Sequence, residues 1–305
     1  MLQRARELQP GVSVVIPCYN EEGAIARTVE QIAAVLDEAA RDPDHPLESE
    51  MILVNDGSRD ATLEIANGLT ESHPRLRVVD NQMNCGYGAS IKRGIAQARY
   101  DRIVITDADG TYPNERIAEF ARRLDDCDMV VGARTGADAK IPLIRRPAKW
   151  ALLKYARWMS RADIKDINSG LRAFWTVHAD TFWFMLPDLF SFTTTLTLAM
   201  HVHRLRVIYL PIEYHRRVGS SSIRPIRDTL LFFSLVLRTV MYFKPLGVFG
   251  TIGLAQVALA ITVGVAGKLL TGQVPDVMTV SLFSTGVIFC GLGLLGDHIN
   301  AHRAR

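Results

Sequence analysis

Two aspartates lie one residue apart in the stretch TDADGTYP, residues 106–113, directly after the apolar run RIVI. In an extended chain, alternate side chains point to the same side, so Asp107 and Asp109 can aim both carboxylates at one point. Carboxylate oxygens suit Mg²⁺ or Mn²⁺, whose remaining positions water and substrate phosphates can fill. Such a cation would neutralise a diphosphate leaving group as its bond breaks. The alternative is a simple turn, which also favours Asp and Gly.

The elements that must position this pair are short apolar runs alternating with helical patterns. Runs of β-forming residues, several of them closed by a turn former, predict five strands, at residues 12–17, 51–56, 76–81, 102–107 and 128–134. Apolar residues at helical spacing predict helices at residues 22–40, at 61–71 and through residue 98. Strands that alternate with helices predict an α/β fold with a mostly parallel sheet covered on both faces.

Polar residues collect where these predicted strands end. The segments are PCYNEE after the first strand, NDGS after the second, DADG after the fourth and GAR after the fifth. Each alone is explained as a turn. Ligands of open α/β sheets bind at the carboxyl ends of the strands, so four such ends predict one shared site.

Composition excludes several other classes of function. The net charge is +3, which gives no indication of nucleic-acid binding. The four cysteines form no CxxC pair, which argues against a zinc site or a disulfide framework. No GxGxxG follows the first strand, so a dinucleotide-dependent dehydrogenase is not expected. The polar start MLQRARELQPG has no signal-peptide core.

Two uncharged apolar runs, residues 246–267 and 277–296, predict a transmembrane hairpin. Each is about 20 residues, the length that a helix needs to cross a bilayer. A pair of buried core helices is the alternative. Basic residues flank both ends of the hairpin, whereas the loop KLLTGQVPD offers only Lys268, so the positive-inside rule predicts a cytoplasmic orientation for both ends and for residues 1–225. We expect the hairpin domain to span residues 245–305.

Residues 226–244 separate the first domain from the hairpin. Their sequence, IRDTLLFFSLVLRTVMYFK, has a dense apolar face and few charges. This pattern predicts an amphipathic helix in the interface of the bilayer. An ordinary surface helix packed on the sheet domain is the alternative.

Together the motifs VSVVIPCYNEE, VNDGSRDAT, NCGYGASIKRGI and DADG resemble glycosyltransferase family 2, which has the GT-A nucleotide-sugar fold. DINSGLRAF (166–174) and HRRVGSSSIRP (215–225) look like the later motifs of its polyprenyl-phosphate glycosyltransferases, the group with the dolichyl-phosphate mannose and glucose synthases. The resemblance covers residues 11–230, and the hairpin follows the same plan. It implies metal-dependent, inverting transfer of a sugar from a UDP- or GDP-sugar to a polyprenyl monophosphate, for cell-envelope glycan or glycoconjugate assembly.

The resemblance also implies roles at matching positions. Asp56 would bind the base or ribose, Asp107 would face the nucleotide, and Asp109 would face the metal and diphosphate. Arg134 would meet the acceptor phosphate. The remaining candidates are four residues lining the nucleotide pocket and four further arginines for phosphate: Pro17, Tyr19, Asn20, Glu21, Arg145, Arg146, Arg216 and Arg217. Lys92 is either a further phosphate ligand or a solvated lysine.

One departure concerns the third metal ligand. Related mannose synthases often carry a glutamine where this chain has Thr111, so the hydroxyl of Thr111 or a water would have to substitute. The acceptor side also lacks the ED dyad and QxxRW of alcohol-acceptor relatives. A lipid monophosphate explains this, because its second pKa is near 6 and the nucleophile is already ionised.

Two rival functions remain open at this level. One is transfer to a diacylglycerol or another lipid alcohol, which would require a carboxylate base. The other is a membrane scaffold with a degenerate transferase domain. Small residues in the second span permit helix packing and a homo-oligomer, a dimer or tetramer.

Overall fold

The computed structural model describes residues 9–134, 164–189, 191–214 and 245–303. The chain divides into two compact units, residues 1–229 and residues 230–305. The predicted interfacial helix at 226–244 and the candidates Arg145, Arg146, Arg216 and Arg217 lie outside the described residues.

In the described part of the first unit, one sheet contains seven strands: β1 (Gln9–Cys18), β2 (Ser49–Asn55), β3 (Leu76–Asp80), β4 (Tyr100–Ile105), β5 (Met129–Arg134), β6 (Arg172–Trp175) and β7 (Val207–Ile212). Their spatial order is β3-β2-β1-β4-β6-β5-β7. The five predicted strands correspond to β1 to β5, with boundaries that differ by up to three residues. The prediction of a mostly parallel sheet is confirmed.

Strand β6 is the exception to the parallel arrangement. It lies between β4 and β5 and pairs antiparallel with both, so that Val104 and Val130 both pair with Ala173. Because β4 and β5 each run against β6, they run in the same direction and end at the same edge of the sheet. The sequence patterns predicted neither β6 nor β7. Strand β6 has only four residues, too few positions to display a period.

The helices of this unit are α1 (Ile25–Ala40), α2 (Thr62–Ser72), α3 (Tyr87–Gln97), α4 (Ile117–Arg122), α5 (Thr176–Phe182) and α6 (Phe192–Val202), and short 3₁₀ turns flank α4. On α1 the fully buried residues Ile25, Val29, Ile32 and Leu36 recur at helical spacing. They join Val14, Ile16, Met51 and Leu53 of the sheet in one core. Burial of each such side chain stabilises the fold by about 1.5–3 kcal/mol.

The second unit contains α7 (Pro245–Thr271) and α8 (Asp276–Arg303) in its described part. Both are long and apolar enough to cross a membrane. Most of their large apolar side chains are exposed, as at Leu269 (79%) and Val277 (84%), which argues against the alternative of buried core helices. The two backbones approach closely: a Cβ atom on Gly253 would lie 2.5 Å from the carbonyl oxygen of Gly286.

Candidate functional site

The ends of β1, β2 and β4 meet at one edge of the sheet, as the parallel arrangement requires. Backbone hydrogen bonds tie them together: the Asp56 N–H donates to Cys18 O at 2.9 Å, and the Thr106 N–H donates to Val15 O at 3.3 Å. The PCYNEE, NDGS and DADG segments therefore lie side by side.

The loop after β1 is fastened to the loop after β2. Asn20 adopts a left-handed backbone conformation (φ 55°). Its N–H donates to Ser58 Oγ at 3.0 Å, and its side-chain Oδ1 accepts from the Arg59 N–H at 2.8 Å. The Glu21 N–H donates to Thr62 Oγ1 at 2.8 Å. Of the predicted nucleotide-pocket residues, Asn20 and Glu21 thus shape the loop.

The other two predicted pocket residues occupy the end of β1 and the position after it. Pro17 is buried inside β1, and Tyr19 is half-buried just beyond the strand. Their contact with a nucleotide stays a prediction.

Asp56 organises a third loop, the NCGYG segment that leads into α3. Its Oδ1 accepts from Asn81 Nδ2 at 2.8 Å and from the Cys85 N–H at 2.9 Å, while its Oδ2 accepts from the Gly86 N–H at 2.9 Å. Gly86 has φ +103°, a conformation that side chains rarely adopt. Asp56 is only 4% exposed. The structure therefore places it as the anchor of this loop, and its predicted contact with the base or ribose would come in addition.

Asp107 lies two residues after the end of β4 and contacts two other motifs. Tyr87 Oη donates to Asp107 Oδ1 at 2.9 Å. A Cβ atom on Gly170 of the DINSG segment would lie 2.6 Å from Asp107 Oδ2, so only glycine leaves room for the carboxylate. Burial, with the nearby Asp107 charge, raises the pKa of Tyr87 well above its usual range, which keeps the hydroxyl a hydrogen-bond donor.

Asp109 is held by the residue two positions further along the chain. Its Oδ1 accepts from the Thr111 N–H at 3.1 Å and from Thr111 Oγ1 at 2.7 Å. The hydroxyl of Thr28 on α1 supports the same turn by donating to Ala108 O at 3.1 Å. Thr111 therefore orients the Asp109 carboxylate. Because the Thr111 hydroxyl is engaged in this hydrogen bond, a water is favoured over Thr111 as the third metal ligand.

Arg134 ends β5 on the same sheet edge, and its partner is Asp166. Arg134 Nε and Nη2 donate to Asp166 Oδ2 and Oδ1 at 2.7 and 3.0 Å. The guanidinium also lies 5.4 Å from the ring centre of Tyr214. Burial alone would lower the pKa of Arg134, but the hydrogen bonds and charge of Asp166 outweigh it and raise that pKa. Arg134 is thus a permanently charged, oriented cation.

Arg172 of β6 is a fully buried guanidinium beneath this region. Nη1 donates to Thr193 O at 2.7 Å and to Thr197 Oγ1 at 2.9 Å, both on α6, and Nε donates to Ser169 O at 3.1 Å. Burial lowers its pKa from the usual value. Arg172 therefore fastens the DINSG segment to α6, whose threonines are buried as in an ordinary core helix.

The sequence profile described as "Glycosyl transferase family 2" matches residues 13–188, more than half of the chain. The chain belongs to glycosyltransferase family 2. An undecaprenyl-phosphate 4-deoxy-4-formamido-L-arabinose transferase from Pseudomonas fluorescens (strain Pf0-1) is 30% identical over 302 residues, which cover 94% of this chain and 84% of that protein. A dolichyl-phosphate beta-glucosyltransferase from Trichomonas vaginalis is 27% identical over 69% of this chain and 65% of that protein.

Solved structures support the GT-A fold of this glycosyltransferase. Glucosyl-3-phosphoglycerate synthase from Mycobacterium tuberculosis in complex with UDP superposes with a TM-score of 0.56, at 18% identity, over 75% of this chain and 80% of that one. A complex of that synthase with Mn²⁺, UDP-glucose and phosphoglyceric acid superposes with a TM-score of 0.55 over 75% and 79%. The identification of the family and its fold from the sequence motifs is confirmed.

The donor set of the glycosyltransferase fits a divalent cation that binds together with a diphosphate. Asp107 and Asp109 would provide two hard oxygen ligands from one loop. Among the described residues, no group of three or more His, Cys, Asp or Glu side chains could hold a metal ion. The remaining ligands would be water and phosphate oxygens, as is usual for Mg²⁺ with phosphate substrates.

Lys92, on α3, forms an ion pair and lies near an aromatic ring. Its Nζ pairs with Asp188 at 2.7 Å and lies 5.6 Å from the ring centre of Trp183. Only 16% of its side chain is exposed. This pairing argues against a freely solvated lysine and holds α3 against the segment after α5, whereas a contact of Lys92 with phosphate stays a prediction.

Five residues of the site received no role from the sequence: Tyr87, Tyr112, Asp166, Gly170 and Arg172. Each lies in or beside a motif that carried the family resemblance, namely NCGYG, DADGTY or DINSGLRAF. The motifs were therefore the available signal, but the partners within them depend on contacts between distant segments.

Proposed function

We propose that this glycosyltransferase transfers a sugar from a nucleoside-diphosphate sugar to a polyprenyl monophosphate, with inversion at the anomeric carbon. The observation that carries the proposal is the placement of Arg134, oriented by Asp166, on the sheet edge that also bears Asp107 and Asp109. A cation for an acceptor phosphate and carboxylates for a metal-bound donor thus share one edge. Two relatives are named as transferases for undecaprenyl phosphate and dolichyl phosphate, which supports the acceptor class.

The diphosphate of the donor would supply oxygen ligands that the two carboxylates leave open at the metal. Asp107 and Asp109 would hold Mg²⁺ or Mn²⁺, which would neutralise charge on the departing nucleoside diphosphate. The loops fastened by Asn20 and Asp56 would border the nucleotide, with Pro17 and Tyr19 lining its pocket. Pre-formed loops of this kind lower the entropic cost of binding.

The acceptor phosphate needs positioning more than it needs a base. Its second pKa is near 6, so at neutral pH an oxygen is already largely ionised and able to attack the anomeric carbon in line. Arg134 keeps N–H groups beyond the two that bind Asp166, since a guanidinium has five. These groups shield and orient the phosphate. A single in-line displacement inverts the anomeric centre.

The polyprenyl chain places the reaction at a membrane. We propose that α7 and α8 cross the bilayer with both ends of the hairpin on the cytoplasmic side, and that residues 226–244 lie in the interface, which would make this a multi-pass cytoplasmic membrane protein. The basic flanks support this orientation. Gly291, which has no atom within 4 Å of its Cβ position, leaves a helix face on which a homo-oligomer could form. Arg145, Arg146, Arg216 and Arg217 remain candidates for further phosphate contacts.

The test is transfer by the purified full chain in detergent with Mg²⁺ or Mn²⁺. Labelled UDP- and GDP-sugars are offered with undecaprenyl phosphate or, as matched acceptor, undecaprenol, and label in the organic phase is counted. We expect label only with the phosphate, and its loss with EDTA or in Asp109→Asn. Asp37→Asn, which removes a surface carboxylate paired with Arg75, is the matched control and should keep activity.

Transfer to undecaprenol would contradict the proposed acceptor and favour a lipid alcohol. Nucleotide binding without transfer from any donor to either acceptor would contradict polyprenyl-phosphate transfer. Failure to bind any nucleoside diphosphate would favour the scaffold alternative.

A further inference from the structure

The Asp107 carboxylate is enclosed by two segments that are far from it in the sequence. Tyr87 Oη donates to its Oδ1 at 2.9 Å. On another side, a Cβ atom on Gly170 would lie 2.6 Å from Oδ2 and 2.9 Å from both Cγ and Oδ1. The Tyr87 hydroxyl thus orients the Asp107 carboxylate through a hydrogen bond, and the backbone of Gly170 limits its position sterically.

The backbone at Gly170 is itself held in place. Its N–H donates to Tyr112 Oη at 2.6 Å, and Tyr112 is 4% exposed. One residue later, Leu171 O accepts from the Gly132 N–H of β5 at 3.0 Å. The wall beside Asp107 is therefore part of the sheet framework and cannot withdraw to accommodate a side chain.

The backbone that carries Tyr87 is also held in place. Tyr87 is the first residue of α3 and follows Gly86, whose N–H is bound by Asp56. The next residue, Gly88, packs so closely on the segment after α5 that a Cβ atom there would lie 2.0 Å from Pro187 O. The start of α3 is therefore held on two sides, which fixes the backbone from which the Tyr87 side chain reaches Asp107.

We propose that Tyr87 and Gly170 are positioning residues for the donor: together they set the orientation in which Asp107 meets the metal-bound nucleoside diphosphate. This inference rests on the proposed function, since it assumes that the donor binds at Asp107. The Asp107 side chain can rotate about two bonds. If it is already held in one orientation, less side-chain conformational entropy is lost when the donor binds. Tyr87 does not touch the reacting atoms and acts only through Asp107.

The first test replaces Tyr87→Phe, which removes the hydroxyl and keeps the ring. We expect the dissociation constants of UDP and GDP, measured by isothermal titration calorimetry with Mn²⁺, to rise about tenfold for whichever nucleotide binds, as for loss of a hydrogen bond to a charged group. The Mn²⁺ concentration for half-maximal nucleotide binding should rise as well. Tyr209→Phe is the matched control, because Tyr209 Oη is also hydrogen-bonded, to His201 at 2.8 Å, but belongs to β7.

The second test replaces Gly170→Ala, whose methyl group would displace the Asp107 carboxylate. We expect a loss of nucleotide affinity at least as large as in Tyr87→Phe. Gly68→Ala is the matched control, since nothing lies within 4 Å of its Cβ position on α2. Thermal unfolding of every variant separates a local change from a loss of the fold, because Tyr87→Phe should unfold close to the wild-type temperature.

The possible results separate this inference from the proposed function. Unchanged nucleotide and Mn²⁺ affinity in Tyr87→Phe, with an active wild type, would overturn the inference and leave the function standing. Weakened metal-dependent binding in Tyr87→Phe, in a wild type that binds nucleotide and transfers nothing to polyprenyl phosphate, would support the inference and overturn the acceptor. A wild type that binds neither UDP nor GDP would overturn both.

Discussion

The guanidinium of Arg134 meets the carboxylate of Asp166 through two parallel hydrogen bonds, 2.7 Å from Nε to Oδ2 and 3.0 Å from Nη2 to Oδ1. Asp166 is 5% exposed, so solvent screens the pair only weakly. The same two-pronged geometry recurs at the surface, where Arg116 Nε and Nη2 bind Glu119 at 2.8 and 3.1 Å. The two pairs share a geometry but differ in burial, since the side chain of Glu119 is 41% exposed, which makes one a control for the other.

We predict that Asp166→Asn lowers kcat/KM for polyprenyl phosphate by about 10- to 100-fold, the range expected for hydrogen bonds to a charged group. The asparagine oxygen can accept one of the two hydrogen bonds from Arg134. Its NH₂ group is a donor and faces the second N–H of Arg134, so we expect Arg134 to turn away from the acceptor. The KM for the nucleotide sugar should change much less. Steady-state kinetics with each substrate varied in turn measure the difference.

Glu119→Gln removes the matched surface carboxylate and should leave both KM values near those of the wild type, because exposed ion pairs contribute about 0–1 kcal/mol. An Asp166→Asn enzyme with normal acceptor kinetics would show that Arg134 is not held for the phosphate.

We predict that Arg172→Lys destabilises the catalytic unit. A lysine has one nitrogen, so it cannot reach Ser169 O, Thr193 O and Thr197 Oγ1 together, and at least one buried acceptor loses its partner. That loss costs about 1–3 kcal/mol. For a unit of this size we expect the melting temperature in detergent to fall by about 3–10 °C. Arg99→Lys, at a side chain that is 66% exposed, should melt as the wild type does.

We predict that His201 makes stability fall as the pH drops below neutral. Burial lowers the pKa of His201 from its usual value of 6.5. The unfolded chain therefore binds a proton at a higher pH than the folded chain, and the contribution to stability is present above the unfolded pKa and is lost as pH falls toward the folded one. Melting temperatures of the wild type and His201→Gln, compared from pH 7.5 to 5, test this.

The expected result is a melting temperature that depends less steeply on pH in His201→Gln than in the wild type. His45→Gln, at an exposed histidine, controls for the loss of an imidazole. Equal slopes in the wild type and His201→Gln would refute the prediction. His203, whose pKa burial also lowers, would then be the next residue to replace.

We predict that Gly253→Val separates the helices of the hairpin. Its side chain would collide with Gly286 O and with Cys290 Sγ, which lie 2.5 and 2.6 Å from the Cβ position. Association of such helices depends on close packing of small residues. A disulfide between cysteines introduced on the two helices should form more slowly in this variant. Gly291→Val, where the Cβ position is open, should cross-link at the wild-type rate.

The sequence by itself determined the elements whose signal is local. The apolar run at residues 12–17 lies inside β1, and the uncharged runs at 246–267 and 277–296 lie inside α7 and α8. A buried strand or a membrane-spanning helix can be recognised from consecutive residues, because burial favours apolar side chains along the whole segment. The motifs at the strand ends likewise identified the family and the Asp107–Asp109 pair.

Only the tertiary structure decided which residues hold these motifs together. Arg134 and Asp166 are separated by 32 positions, and Tyr87 and Asp107 by 20. Strand β6 between β4 and β5 brings the DINSG segment against Asp107, and its four residues carry no period that would predict it. Local patterns record whether a residue is buried, whereas the identity of its partner depends on strand order and register, which arise when distant segments pack together.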